Sequence, residues 1–245
     1  MQRRRRTRRI DTMPKISVII PTMNEEKYLR YPIEGLKKQS FKDFEVIFVD
    51  HNSTDRTRQI ARKYGRVLIE GRAGIGVARN TGARVAKGRI MVFLDADTKP
   101  SRDLLKSYYN AFNENIVAAT GPILPLERTT KRVKIGFRLV SVTMPKVASR
   151  VGGRINVVGS NFAVDKKAFD GVRGFNEKLK TYEDWDLSKR LRKCGKITFI
   201  KKAVVRTSTR RVEAWGMRKY FVYHAGNVVR YNLLKKPKEQ YAPIR

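Results

Sequence analysis

Two aspartates separated by one alanine, Asp95 and Asp97, follow the apolar run "IMVFL" at residues 90–94. Residues two apart on an extended strand share one face, so both carboxylates can reach a single ion. Mg²⁺ is usually held by one or two carboxylates together with substrate phosphates and water. The pair therefore predicts a Mg²⁺ or Mn²⁺ site for a nucleotide diphosphate. The alternative interpretation is a strand end whose acids face solvent.

Two other predicted strands also end in polar residues. Asp50 ends "FEVIFVD", and Pro21, Asn24 and Glu25 follow "ISVII". Because the carboxyl ends of parallel strands meet at one edge of a sheet, these residues predict a ligand-binding rim there. A helix N-terminus beside that rim would favour phosphate through its free N–H groups.

A second acidic cluster, Glu183, Asp184 and Asp186, lies in "YEDWDLSKRL" at the start of a predicted helix. Acids in a first helical turn are ordinarily explained by the helix dipole, and that explanation suffices for Asp186. An ionised carboxylate beside a bound acceptor can also serve as a general base. Both interpretations stay open for Glu183 and Asp184.

Short runs rich in β-branched residues alternate with helical patterns in the first hundred residues. The spacing predicts strands at 16–21, 44–50, 66–71 and 90–95, and helices at 25–39, 54–64 and 76–87. This alternation indicates βαβ units and an α/β fold, with a doubly wound, mostly parallel sheet that carries helices on both faces.

The charge balance is strongly basic, with 55 Lys and Arg against 22 Asp and Glu and a net charge of +33. The six arginines of the first ten residues account for only a small part of this excess. Such a charge favours polyanions, namely nucleic acid, anionic lipid or phosphorylated substrates. No apolar run approaches the roughly 20 residues that span a bilayer, and no secretory signal is recognisable, so a cytoplasmic protein is expected.

The segment 128–154 has eight basic residues, and no acidic residue occurs from residue 128 to residue 164. Apolar residues at helical spacing within it predict an amphipathic helix, namely Val133, Phe137, Val140 and Met144, with Pro145 at its end. This helix either covers the sheet or lies on an anionic membrane surface. The basic and aromatic stretch 215–234 allows the same two interpretations.

Five segments, taken together and in order, resemble family 2 glycosyltransferases of the GT-A fold. They are "VIIPTMNEEKYL", "FEVIFVDHNSTDRT", "GVARNTGARVAKGRIMVFLDADT", "GSNFAVDKKAFDGVRGFNEKL" and "YEDWDLSKRLRKCGK". The resemblance covers roughly residues 15–200. It implies transfer of a sugar, with inversion, from a UDP-type or GDP-type donor with Mg²⁺ or Mn²⁺.

The resemblance also implies roles for individual residues. The nucleotide-binding set would be Pro21, Asn24, Glu25, Asp50, Asn80 and Asp95, and the metal ligands would be Asp97 and Asp95 of the DxD motif. Asp184 matches the catalytic base, with Glu183 beside it. The acceptor side would comprise Gly159, Ser160 and Asn161, and the diphosphate would meet Arg210 and Arg211.

These inferences predict a basic tail at 1–13, a GT-A domain at 14–210 and a basic, amphipathic C-terminal helical extension at 211–245. The expected acceptor is a polyprenyl phosphate or a glycan, and the expected location is the cytoplasm, at the inner face of the membrane if the basic segments bind lipid. One alternative is a nucleic-acid-binding or membrane-binding protein without catalysis, although no nucleic-acid recognition module is evident. A sugar nucleotidyltransferase is ranked lower, because "PTMNEE" stands where a glycine-rich phosphate loop would follow the first strand.

Overall fold

The computed structural model describes residues 13–143, 145, 154–216, 218–220, 222–223, 226 and 230. Its strands are β1 (Ile16–Thr22), β2 (Phe44–Asp50), β3 (Arg66–Ile69), β4 (Ile90–Leu94), β5 (Thr98–Pro100), β6 (Ile116–Thr120), β7 (Ile123–Pro125), β8 (Asn161–Asp165), β9 (Lys196–Phe199) and β10 (Val205–Thr207). Its helices are α1 (Arg30–Lys37), α2 (Thr57–Ala61), α3 (Ile75–Val85), α4 (Leu104–Tyr109), α5 (Lys131–Arg138), α6 (Lys166–Gly171), α7 (Glu183–Leu191) and α8 (Arg210–Trp215). A π-helical turn, Leu139–Thr143, continues α5.

Seven of these strands form one sheet in the order β3-β2-β1-β4-β8-β6-β9. The pairs β2–β3, β1–β2, β1–β4 and β6–β9 are parallel, and β8 runs antiparallel to both β4 and β6. The four predicted strands are therefore confirmed as neighbours in a mostly parallel sheet. Their apolar runs are continuous because a parallel sheet is buried on both faces.

The sheet separates two buried apolar clusters. Ile16, Val18 and Ile20 of β1 pack on one face with residues of α1 and α4. Ile19 points the other way and packs with residues of α3, α6 and α7. Alternate residues of a strand face opposite sides, so the layers confirm the predicted doubly wound arrangement with helices on both faces.

The predicted helices exist, but two of them are shorter than predicted. The first begins at Arg30 instead of Glu25, after a series of turns that starts where Asn24 adopts a φ of 53°. The second covers only Thr57–Ala61. Asn tolerates this left-handed conformation better than most residues, and here it makes the chain turn before the helix can start.

A second, three-stranded sheet has the order β5-β10-β7. β10 pairs antiparallel with β5, where Thr207 lies opposite Thr98, and parallel with β7. This pairing returns the chain to the carboxyl end of β4. Residues 208–211 consequently lie beside Asp97, whose carbonyl accepts a hydrogen bond from the Ser208 N–H (3.2 Å).

The predicted amphipathic helix is present as α5 and its π-helical turn. Val133 is buried and Phe137 packs against the first apolar cluster, so this helix covers the core as one interpretation predicted. Met144 lies outside the described residues. The proposed domain boundary after residue 210 falls inside α8, directly after its first residue. Most of the proposed segments 1–13 and 211–245 lies outside the described residues, so this division stays a prediction.

The four-ring cluster of Phe93, Phe162, Phe169 and Phe175 gives a stability prediction. The Phe93 ring stacks on that of Phe162 at a centroid distance of 4.7 Å and meets the Phe175 ring edge-on at 5.5 Å. Phe93→Ala should lower the free energy of unfolding by about 3–5 kcal/mol, because it leaves a cavity between both rings. Urea unfolding of Ile69→Ala, at a half-exposed position, is the control and should change by about 0.5 kcal/mol or less. Equal losses in both variants would contradict this packing.

Candidate functional site

A cleft with a volume of about 410 Å³ opens at the carboxyl ends of β1, β4, β6 and β9. Asp95 and Asp97 lie in its wall with Pro21, Glu25 and Arg210. The predicted rim is thus present at the edge where parallel strands end. Ser160 and Arg211 also line it. Residues from all but one of the predicted functional groups therefore meet in one space. The exception is the predicted catalytic base, Asp184, with its neighbour Glu183, which lies behind the Ser160 wall.

Asp97 is the more enclosed carboxylate of the DxD pair, with 16% of its side chain exposed against 33% for Asp95. Its Oδ1 accepts hydrogen bonds from the Thr207 hydroxyl (3.2 Å) and the Thr98 hydroxyl (3.4 Å). Burial, and then the like charge of Asp95, raise the pKa of Asp97 to about 6. The two acids are therefore close enough to repel each other, and a divalent cation would relieve that repulsion.

The fit to a metal rests on these two carboxylates. Among the described residues, no group of three or more His, Cys, Asp and Glu side chains is arranged to hold a metal ion. Mg²⁺ commonly uses one or two carboxylates and completes its octahedron with water and substrate phosphates. The donor set of Asp95 and Asp97 suits a metal that arrives with a diphosphate better than one held by protein ligands alone.

Arg210 supplies a positive charge to the same wall. Its guanidinium makes two hydrogen bonds with the Glu25 carboxylate, at 3.0 and 2.7 Å, and its Nη2 lies 3.2 Å from Asp97 Oδ2. It also lies over the Tyr28 ring at 4.2 Å. The predicted diphosphate residue Arg210 is thus held beside the DxD pair, and Glu25 is tied to it across 185 residues of sequence.

Asp50 lies beneath the cleft rather than in its wall. It is fully buried, and its carboxylate accepts hydrogen bonds from the Ser53 N–H (3.0 Å) and the Thr22 hydroxyl (3.2 Å). Asn24 likewise stabilises a loop, because its Oδ1 accepts a hydrogen bond from the Thr54 N–H (2.7 Å). These two residues shape the floor at the ends of β1 and β2.

Two further predicted residues, Asn80 and Asn161, do not line the cleft. Asn80 holds a loop on the far side of α3: its Nδ2 donates to the Phe175 carbonyl (2.9 Å), and its Oδ1 accepts the Phe175 N–H (2.9 Å). Asn161 is fully buried, and its Nδ2 donates to the carbonyls of Pro122 and Ala203. Both amides are engaged in hydrogen bonds within the protein and neither residue lines the cleft, so their predicted roles stay predictions.

The acidic helix start lies behind the Ser160 wall. Tyr182, with a φ of 67°, turns the chain into α7. The half-buried Asp184 accepts hydrogen bonds from the Gly159 N–H (3.0 Å) and the Trp185 N–H (2.8 Å). Burial raises the pKa of Asp184 above its ordinary value, and burial followed by the charge of Asp184 raises the pKa of Glu183 to about 7.

Arg79 joins the two acidic groups, a role that the sequence interpretation missed. Only 2% of its side chain is exposed, and its guanidinium donates to Glu183 Oε1 (2.7 Å) and to Asp95 Oδ1 (3.0 Å). A Cβ on Gly159 would lie 2.5 Å from Arg79 Nη2. Gly159 therefore leaves the space that the guanidinium occupies.

His51 is a second cleft residue that the sequence interpretation missed. It lies directly after β2 and lines the cleft. Its Nδ1 lies 2.8 Å from the Glu70 carbonyl, which fixes the ring. Its position after a strand that ends in Asp50 was the one signal available in the sequence.

Comparison with known proteins identifies the family. The model of Glycosyl transferase family 2 matches residues 17–172. The poly(ribitol-phosphate) beta-N-acetylglucosaminyltransferase TarS of Staphylococcus aureus is 40% identical over 103 residues, which are 38% of this chain and 18% of TarS. The putative teichuronic acid biosynthesis glycosyltransferase TuaG of Bacillus subtilis is 37% identical over 100 residues, which are 38% of this chain and 40% of TuaG.

Solved structures show the same fold. The S. aureus TarS fragment 1-349 superposes with a TM-score of 0.64 at 24% identity, covering 89% of this chain and 66% of the fragment. The mannosyltransferase PcManGT of Pyrobaculum calidifontis, solved with GDP-Man and Mn²⁺, gives 0.62 at 20% identity, covering 88% of this chain and 65% of that one. This chain thus spans less than two thirds of each of these relatives. It belongs to glycosyltransferase family 2 and has the GT-A fold, as the sequence predicted.

Proposed function

We propose that the protein transfers a sugar from a UDP-type or GDP-type donor to an acceptor hydroxyl or phosphate, with inversion at the anomeric carbon. The observation that carries this proposal is the cleft, where Asp95, Asp97 and Arg210 share one wall and Asp184 lies behind another. Solved relatives are described with UDP, UDP-GlcNAc, or GDP-Man and Mn²⁺, which supports a nucleotide-sugar donor. The acceptor is proposed to be a polyprenyl phosphate or a glycan.

On the donor side, Asp95 and Asp97 would hold Mg²⁺ or Mn²⁺, which neutralises the charge of the leaving diphosphate when bound. Arg210 and Arg211 lie in the same wall, where a guanidinium can make paired hydrogen bonds with phosphate oxygens. Pro21 and Glu25 would border the nucleotide, with Asp50 and Asn24 supporting the loops beneath it.

On the acceptor side, Asp184 would take the proton of an attacking hydroxyl. The N–H groups of Gly159 and Trp185 orient its carboxylate, and its buried surroundings increase its affinity for a proton. An acceptor phosphate is already a nucleophile and needs no base, so in that case Asp184 would orient the acceptor.

The other candidate functions have less support. The family match makes a purely nucleic-acid-binding role, or a membrane-binding role without catalysis, secondary to transfer chemistry, and it also disfavours a nucleotidyltransferase. Within the part of the chain that the structure describes, no helix has the length and apolar character needed to cross a bilayer. Action in the cytoplasm, at the inner face of a membrane, stays part of the proposal.

The metal role predicts that Asp97→Asn and Asp95→Asn each lower turnover roughly 100-fold or more, because the diphosphate loses its charge compensation. The assay is release of nucleoside diphosphate from a panel of UDP-sugars and GDP-sugars with Mn²⁺. Asp170→Asn, at an exposed acid of α6, is the matched control and should retain full activity. Unchanged turnover in Asp97→Asn would rule out its metal role.

The general-base role predicts the acid limb of the pH profile. A base works only when deprotonated, and the pKa of Asp184 is raised. As the pH is lowered, kcat/KM for a hydroxyl acceptor should therefore begin to fall at a higher pH than it would with an ordinary aspartate as the base. Burial raises this pKa, whereas the N–H groups of Gly159 and Trp185 and the charge of Arg79 lower it. Asp184→Asn should lose roughly 100-fold in kcat. Loss of turnover with no change of the acid limb would show that Asp184 orients the acceptor.

The close contact between Gly159 and Arg79 gives a third prediction. Gly159→Ala would push the guanidinium away from Asp95 and Glu183, and displacement of a positioning group by about 1 Å can cost up to roughly 100-fold in rate. We expect kcat/KM to fall at least about tenfold. Gly171→Ala is the matched control, because a Cβ there meets nothing within 4 Å. Equal activity of the two variants would show that the position of Arg79 does not matter for turnover.

A further inference from the structure

The segment 131–143, called here the α5 segment and made of α5 and its π-helical turn, has two different faces. Its inner face contacts the protein: Val133 is buried, and Phe137 and the half-exposed Val140 line the cleft. The Ser141 hydroxyl donates to the Ile123 carbonyl and accepts the Ile123 N–H (3.2 Å). These contacts hold the segment against the wall of the cleft.

The outer face of the α5 segment exposes aliphatic side chains. Ile135 is 66% exposed and Leu139 is 51% exposed. Four exposed basic residues surround them, namely Lys131, Arg132, Lys134 and Arg138. None of these four side chains makes an ion pair with any residue that the structure describes. The face therefore combines an apolar centre with uncompensated positive charge.

The chemistry of this face selects its partner. A second copy of the chain would carry the same charges and be repelled. Nucleic acid would pair with the four basic side chains but would leave Ile135 and Leu139 in water. An anionic bilayer satisfies both, because aliphatic side chains enter the boundary between headgroups and acyl chains while Lys and Arg reach the phosphates.

We propose that the α5 segment docks on an anionic lipid surface through Ile135 and Leu139 and their basic neighbours. Because Phe137 and Val140 of the same segment line the cleft, docking brings the cleft close to the membrane surface. A lipid-borne acceptor then reaches the site without leaving the bilayer, a consequence that rests on the proposed transfer function. The docking itself does not depend on catalysis.

Vesicle co-flotation of the full chain, at about 0.1 M salt, tests the docking. The wild-type protein should bind vesicles of phosphatidylcholine mixed with phosphatidylglycerol and bind pure phosphatidylcholine vesicles far more weakly. The double variant Ile135→Ser/Leu139→Ser should lower the affinity for the mixed vesicles at least about tenfold. The double variant Lys134→Glu/Arg138→Glu should lower it by at least as much.

Matched controls separate this face from the charge of the whole chain. Ile69→Ser removes an aliphatic side chain that is 50% exposed on β3, and Arg62→Glu/Lys63→Glu makes the same charge change at exposed positions after α2. Both should bind within about twofold of wild type. Equal weakening of vesicle binding by the α5 variants and their controls would overturn the proposal. It would also be overturned if the wild-type protein bound duplex DNA but no vesicles, and if Lys134→Glu/Arg138→Glu alone weakened that DNA binding.

A parallel assay separates this inference from the proposed function. Release of nucleoside diphosphate in solution should be within about twofold of wild type in Ile135→Ser/Leu139→Ser, because neither side chain lines the cleft. Vesicle binding by a wild-type protein that releases no nucleoside diphosphate would defeat the transferase and leave the docking intact. Release of nucleoside diphosphate by a wild-type protein that does not bind vesicles would defeat the docking and leave the transferase intact.

Discussion

The site depends on one buried cation, the Arg79 guanidinium, which is shared between Asp95 and Glu183. A buried charge is tolerated only when paired, and removing one partner of such a pair typically costs about 3–5 kcal/mol. Arg79 comes from α3, Asp95 from the end of β4 and Glu183 from the start of α7. The pairing therefore fixes the donor-side acids relative to the predicted base, and Gly159 lacks a side chain because the guanidinium fills that space.

Arg210 plays the same electrostatic role at the other end of the DxD pair. Its positive charge compensates the negative charges of Asp97 and Glu25. The carboxylates that gather at this site are therefore paired with a cation. The pairing would also limit how the proposed metal could bind, because a divalent cation at Asp97 Oδ2 would compete directly with Arg210. Oδ1 is already engaged by hydroxyl groups of Thr98 and Thr207. If the metal arrived with a diphosphate, Arg210 could pair with the phosphate oxygens in place of Asp97.

The strands and the rim were predictable because their signals are local. An apolar run that ends in Asp50 or Asp95 identifies both a buried strand and the edge where ligands bind. The roles of Asn80 and Asn161 were not predictable, since an amide pairs with a ligand or with a buried carbonyl equally well. Burial of Arg79 could not be inferred either, because its acidic partners are 16 and 104 residues away in the chain.

The cleft is completed by the last described strand, since β10 inserts between β5 and β7 and carries Arg210 to Glu25. Each pairing of this sheet is only three residues long, so its stability must come from burial of Val205 and Val212 and from the ion pairs. The α5 segment attaches to the same small sheet through Ser141 and Ile123. The cleft wall formed by the α5 segment and the arginine that pairs with Asp97 are therefore held in place by the same three strands.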